Sequence, residues 1–313
     1  MKVLITGGAG MVGSHVANLL SSRGDDVILV DNLSTGRKEN IEESNSKVIV
    51  YFDSIASSSF FEKLDREIGK VDVIVHTAAS YAVATEWTEH VLTNTLGTTH
   101  VASYAKKHSA RVIYFQTALC YGENPEIQPV PLNYPRQPVA SSYAISKTAG
   151  EFYLEQSGVD FVTFRLANIV GPRNLSGPLP IFYKRLLESI PCTISNSKRD
   201  FVDVRDLASV VIQAVDGKGS GAYHFSSGKD VSILDLFNEV VNVMGIKVKP
   251  QFDYQENSAG GPPSILLDPT RTYKDFAMPQ LRTLHETVLG AVTYYENFGV
   301  TREITHMKNS SNG

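Results

Sequence analysis

The sequence predicts an α/β protein, a doubly wound parallel sheet with a smaller α+β lobe that holds the substrate. Three observations carry that expectation. Short β-branched runs alternate with amphipathic stretches up to Val170; a glycine-rich turn stands directly between the first run and the first amphipathic stretch; and past Gly171-Pro172 the rhythm breaks into segments interrupted by Pro and Gly.

The runs Val3-Leu4-Ile5, Val27 to Val30, Val48-Ile49-Val50, Val71 to Val75, Val112 to Phe115 and Phe161 to Phe164 read as buried parallel strands, because both faces of each are apolar. Between them, helices are expected near Met11 to Ser22, Phe60 to Ile68, Glu86 to His108 and Ser142 to Ser157, giving right-handed β-α-β crossovers. Beyond them come a helix from Asp206 to Val215, a strand near Tyr223 to Ser226, and helices near Ile233 to Met244 and Leu284 to Phe298. The expected division is residues 1–170 plus 206–227 for the nucleotide-binding layer and 171–205 plus 228–313 for the smaller lobe. Tyr254 to Pro263, rich in Gly, Pro, Ser and Asn, reads as a surface loop, and the polar end from Met307 as a frayed tail.

Composition narrows the function. At 313 residues the chain exceeds the usual single core, and its 42% hydrophobic and 20% charged residues are ordinary for a well-filled globular protein. A net charge of -4 and a sequence pI near 6.1, without a Lys/Arg block, argue against nucleic acid. No run of about 18 apolar residues and no secretory leader pattern is visible, so a cytoplasmic location without membrane attachment is expected. Two cysteines, Cys120 and Cys192, are too few for a disulfide framework or a four-ligand zinc site, and no metal is expected.

Thr6-Gly7-Gly8-Ala9-Gly10-Met11-Val12-Gly13 joins the first strand to the first helix. Gly7, Gly10 and Gly13 permit a tight turn and close approach to a pyrophosphate, and the helix N-terminus supplies backbone donors to that anion. Eighteen residues past Gly13, the second strand ends in Asp31, placed to accept hydrogen bonds from an adenosine ribose. Together the two signals mark a Rossmann dinucleotide site. Asp31 repels a 2'-phosphate and so favours NAD over NADP, with Arg37 nearby as a counter-signal or a solvated loop charge.

Tyr143 and Lys147 stand four apart in an expected helix, so both emerge on one face within roughly 6 Å. An ammonium there stabilises a phenolate and is expected to draw the phenol's pKa down from about 10, suiting Tyr143 to general base work. Thr117 ends the fifth strand at the carboxyl edge, where such sheets place their ligands.

With these residues in view, the chain resembles the extended short-chain dehydrogenase/reductase family, in its nucleotide-sugar epimerase/dehydratase branch. The likeness runs from Lys2 to about Phe298 and includes Thr6 to Gly13, Asp31-Asn32-Leu33, His76 to Ala79, Asn94 to Thr98, Thr117 to Gly122, Tyr143 to Lys147, Arg165 to Arg173 and Arg199-Asp200-Phe201. The resemblance implies that Met11 and Val12 contact the pyrophosphate of NAD, that Asp31 and Asn32 contact the ribose, and that Ala78 and Ala79 line the groove. Lys147 also binds the nicotinamide ribose, and Asn94 lies near the nicotinamide side or orders its helix. Either Asp53 or Ser54, followed by Ile55, takes the adenine position. For the substrate it implies Asn168 and Arg199 on a diphosphate, with Arg199 alternatively paired to Asp200. It also implies a homodimer through the helices at 86–108 and 142–157, whose apolar residues Val101, Tyr104, Ala149 and Tyr153 face either a partner or the core.

Dehydratases of this branch carry an Asp-Glu pair after the threonine, and the related decarboxylases a glutamate at the second place. Here stand Ala118-Leu119, which transfer no proton. What remains is 4-epimerisation of a nucleotide sugar, a UDP-sugar first among candidates, through a 4-keto sugar and with NAD kept through turnover. The rivals are a 4-ketoreductase, a dehydratase and a non-catalytic dinucleotide sensor. Counting back from Asp268, Ser258 and Gly261 occupy places where the family has Arg and Asp on the nucleotide.

Overall fold

A computed structural model describes residues 1–41, 47–81, 86–139, 141–248, 250–255 and 264–300. Seven parallel strands form its main sheet: β1 (Lys2–Thr6), β2 (Asp26–Val30), β3 (Val48–Tyr51), β4 (Val73–His76), β5 (Arg111–Thr117), β6 (Phe161–Leu166) and β7 (Gly221–Phe225). Their order is β7-β6-β5-β4-β1-β2-β3, so the winding reverses between β1 and β4. Thr6 lies opposite both Val30 and His76 in register, which brings three strand ends level at that reversal. Ligand crevices of open α/β sheets form at such points.

Alternation along each strand divides the core between two faces. Val3 and Ile5, Val27 and Leu29, Val73 and Val75, and Ile113 and Phe115 enter one apolar cluster. Their neighbours Leu4, Ile28, Val30, Ile74, Val112 and Tyr114 enter the cluster on the other face. Fully burying one such aliphatic side chain is worth about 1.5–3 kcal/mol, so a one-residue slip of any strand is heavily penalised.

The covering helices start where the side chains supply caps. Ser57 accepts from Phe60 N at the head of Ser58–Glu67, and Ser141 from Ala144 N at the head of Ser142–Gln156. The helix expected at 86–108 is present as Trp87–His90, a π-helical turn Val91–Leu96, and Gly97–His108. The wider turn coincides with Asn94, whose buried amide leaves the helix for Ser80 and Ser146. Val101 and Tyr104 face the sheet and are buried beside Val112 and Tyr114, so they are core and not an outer face.

A third apolar cluster, around Leu179, Phe182, Phe237, Val292 and Tyr295, joins the helices Pro178–Leu187, Ile233–Val243 and Leu284–Phe298. Between the two bodies the chain crosses repeatedly. Helix Val204–Val215 packs on helix Met11–Arg23, and β7 completes the sheet edge. The division expected from sequence assigns 228–313 to the smaller lobe, yet Phe276 packs on the sheet, its ring 5.0 Å from that of Tyr223 and 5.5 Å from that of Phe164. Leu267 likewise joins Cys120, Tyr121 and Val130. The aromatic pocket at β6 and β7 outweighs chain order.

Candidate active site

Gly7 leaves β1 at φ +69°, and a Cβ there would sit 2.7 Å from Ala78 N. A Cβ on Gly13 would strike the Gly7 carbonyl oxygen, so this glycine sets the approach of helix to turn. The helix Met11–Arg23 begins at Gly10 with no side-chain cap and no acid in its first turn. Its free N–H groups and positive dipole end therefore remain available to an anion. Gly7, Gly10, Met11 and Val12 line a cleft of about 900 Å³, whereas Gly13 acts behind them.

Asp31, at the end of β2, lines the same cleft while 8% exposed. Its oxygens accept from Ala9 N at 2.9 Å and Leu33 N at 2.7 Å, which fixes the carboxylate to the glycine turn. Burial pushes its pKa up and these two N–H groups oppose the shift. Arg37 points elsewhere: it holds Glu39 at 2.6 Å and donates to the carbonyls of Phe298 and Gly299. Asn32, Asp53, Ser54, Ile55, Ala78 and Ala79 continue the cleft wall. Asn94 stands apart from that wall, fully buried, accepting from Ser80 N and donating to Ser80 O and Ser146 Oγ.

Thr117, Tyr143 and Lys147 line the same cleft. Lys147 is 3% exposed, its Nζ 4.0 Å above the Tyr114 ring, and the Tyr114 hydroxyl donates to the Lys147 carbonyl at 2.8 Å. Burial lowers the Lys147 pKa to about 7, against the upward pull of Glu151 one turn along. Tyr143 runs counter to the sequence expectation. Burial, reinforced by Tyr81, pushes its phenol above the usual value. Two residues that spacing arguments missed flank it. Tyr81, bonded to the Thr35 and Ser176 side chains, packs edge-on at 6.4 Å, and His90 at 6.3 Å, its Nδ1 3.1 Å from Ser142 Oγ and its buried Nε2 without a partner.

The model of the NAD dependent epimerase/dehydratase family matches residues 3–225. The chain belongs to this family. The Bordetella bronchiseptica enzyme WbmH, crystallised with NAD+, matches with a TM-score of 0.92 and 50% identity over 95% of this chain and 99% of that one. WbmG from the same organism, in complex with NAD and UDP, matches with a TM-score of 0.86 and 35% identity over 98% and 97%. The UDP-glucose 4-epimerase of Mycolicibacterium smegmatis is 27% identical over 95% of this chain and 99% of its own. A UDP-glucuronic acid decarboxylase of Xenopus tropicalis is also 27% identical, over 78% and 60%.

NAD is the cofactor of the family, and the uncapped helix end, the glycine turn and the anchored Asp31 fit its pyrophosphate and ribose. Asn168 and Arg199 line the cleft with Thr193, Ser195, Ser197 and Phe201. The ion pair between Arg199 and Asp200 does not form. Asp200 accepts from Ser226 Oγ and Ser227 N, and the Arg199 guanidinium donates to the Lys198 carbonyl at 2.7 Å. Ala118 and Leu119 line the cleft beside Thr117. Ser258 and Gly261 lie outside the described residues. Among the described residues there is no cluster of three metal-ligating side chains and no helix long and apolar enough to cross a membrane.

Proposed function

We propose that this chain is a UDP-sugar 4-epimerase working through Thr117, Tyr143 and Lys147. The observation that carries the reading is the composition of one cleft: it is lined both by a dinucleotide cradle and by a Thr-Tyr-Lys set, while the two places after Thr117, Ala118 and Leu119, carry no acid or base for eliminating water or carboxylate. The WbmG complex with UDP and the epimerase among the relatives favour a uridine nucleotide.

In this reading Asn168 and Arg199 hold the diphosphate, and Asp31, Asn32, Ser54 and Ile55 hold the adenosine end of the cofactor. Asn94 orders the wall from behind, by its bonds to Ser80 and Ser146. Bound NAD supplies reversible oxidation at the sugar carbon. Tyr143, as the phenolate, takes the proton of the sugar hydroxyl to become the phenol and later returns it, the Lys147 ammonium steadies the phenolate, and the Thr117 hydroxyl shares the proton network. Deprotonating so buried a phenol requires positive charge nearby, which makes Lys147 indispensable. The protein works as a homodimer, paired through the apolar surface of the helices at 87–108 and 142–156.

The test is incubation with UDP-, GDP- and dTDP-sugars without added cofactor, following epimers by NMR. Epimer formation from a UDP-sugar, reduced at least about a hundredfold in Tyr143→Phe, is expected. In a parallel incubation with a 4-keto nucleotide sugar and added NADH, stoichiometric consumption of the reduced cofactor, with no epimer in the first assay, would make the chain a ketoreductase instead.

A further inference from the structure

Beneath the catalytic wall lies a chain of buried polar groups that the chemistry above does not use. Glu151, fully buried, follows Lys147 by one turn of helix Ser142–Gln156. Its Oε1 accepts from Arg165 Nε and Nη2 at 3.1 and 3.0 Å. Its Oε2 lies 3.1 Å from Arg136 Nη1 and accepts from Gln116 Nε2 at 3.1 Å. Gln116, 1% exposed, then accepts the Thr117 N–H on Oε1 at 2.8 Å. The backbone N–H can only donate, so the Gln116 oxygen must face Thr117 and its NH2 must find an acceptor on the other side. Among the described residues the Glu151 carboxylate answers that need at 3.1 Å, with the Thr148 hydroxyl farther off at 3.5 Å. Farther along, Arg165 donates to the Tyr121 hydroxyl at 2.6 Å, which bonds His224 Nε2 at 2.6 Å.

We infer that Glu151 is the positioning residue of the catalytic wall, fixing Thr117 through Gln116 and setting the electrostatic surroundings of Lys147. The inference rests on the assignment of Thr117 and Lys147 to the reaction. Thr117 stands at the last position of β5, paired in register with Leu166, and its hydroxyl accepts from Leu119 N at 3.2 Å to cap the turn that follows. The Gln116 amide adds a hold on the Thr117 N–H, and Glu151 accepts from the other end of that amide. Around Lys147 stand Glu151 on its own helix, Tyr114 on β5 with its ring 4.0 Å from Nζ, and His76 on β4, whose buried imidazole is held neutral. Glu151 is the one carboxylate among them, and its charge favours the ammonium against burial.

Two variants test this. Gln116→Met keeps size and charge while cutting the link to Thr117; kcat is expected to fall about tenfold or more at unchanged KM, with the melting temperature nearly held. Glu151→Gln removes the charge, and the Lys147 Nζ resonance, titrated by NMR, is expected to move to lower pH. Because Glu151→Gln leaves two buried arginines underpaired and can fail to fold, Gln116→Met decides the matter on its own where it does. A folded Gln116→Met with wild-type kcat, or a Lys147 titration unmoved in Glu151→Gln, overturns the inference. Absence of epimerisation in the unmutated protein, with the Lys147 titration still shifting in the variant, would sink the functional reading and leave the electrostatic role standing.

Discussion

Two buried histidines serve as neutral connectors. His76 joins Thr6 to Thr98, and His224 accepts from Tyr121 while donating to the Asp268 carbonyl. Burial holds His224 down at about 4, from an ordinary 6.5. A base whose folded pKa is depressed binds fewer protons folded than unfolded between those values, so stability is complete above about 6.5 and is lost as pH falls toward 4. The loss at His224 amounts to about 3 kcal/mol. Urea midpoints compared at pH 7 and pH 4.5 should drop more for the unmutated protein than for His224→Gln; equal drops would assign acid sensitivity elsewhere. Local spacing was enough to place Gly7, Asp31, Thr117, Tyr143 and Lys147 around one cleft, because each sits at a defined offset from a strand end or helix turn. Spacing says nothing about burial, and there it misled: the four-residue interval brings Lys147 to the Tyr143 face without revealing that both side chains lose their water. Tyr81 and His90 reach the site by tertiary packing and carry no periodic signature.

At the level of elements, the parallel strands were legible because burial on both faces writes itself as unbroken Val/Ile/Leu runs. The π-helical turn at Val91–Leu96 was not, since a change from i→i+4 to i→i+5 bonding leaves the apolar period almost intact. Helix Thr270–Asp275 was missed for a different reason: six residues are too few for a period, and Phe276 finds its place only once β6 and β7 are adjacent. Phe276→Ala should remove about 3–5 kcal/mol of unfolding free energy in urea, because the ring is 3% exposed among Phe164 and Tyr223. Turnover at 25 °C should stay within about twofold, since Phe276 is absent from the cleft wall. A stability change under about 1 kcal/mol would mean the pocket relaxes around the gap.

For the molecule as a whole, helices Trp87–His90 and Ser142–Gln156 carry an apolar surface that the fold leaves open: Trp87 at 68% exposure, with Val91, Ile145, Phe152 and Tyr153. The proposed pairing of two copies would cover it, and the sequence had indicated these helices while naming Val101 and Tyr104, which serve the core. Sedimentation should find a dimer at micromolar concentration and a monomer in the Phe152→Glu, Tyr153→Glu double variant; a monomeric parent protein would end that reading. Lobe boundaries were the least legible feature, because the chain passes back and forth between bodies. The outermost strand of the main sheet, β7, is made only at residues 221–225, after the segment that supplies helix Pro178–Leu187. A nascent chain leaving the ribosome thus exposes the unpaired edge of β6 for more than fifty residues of synthesis. Fragments cut near residue 170 would inherit the same raw edge, so the nucleotide-binding body is not a module that can be lifted out and grafted by simple truncation.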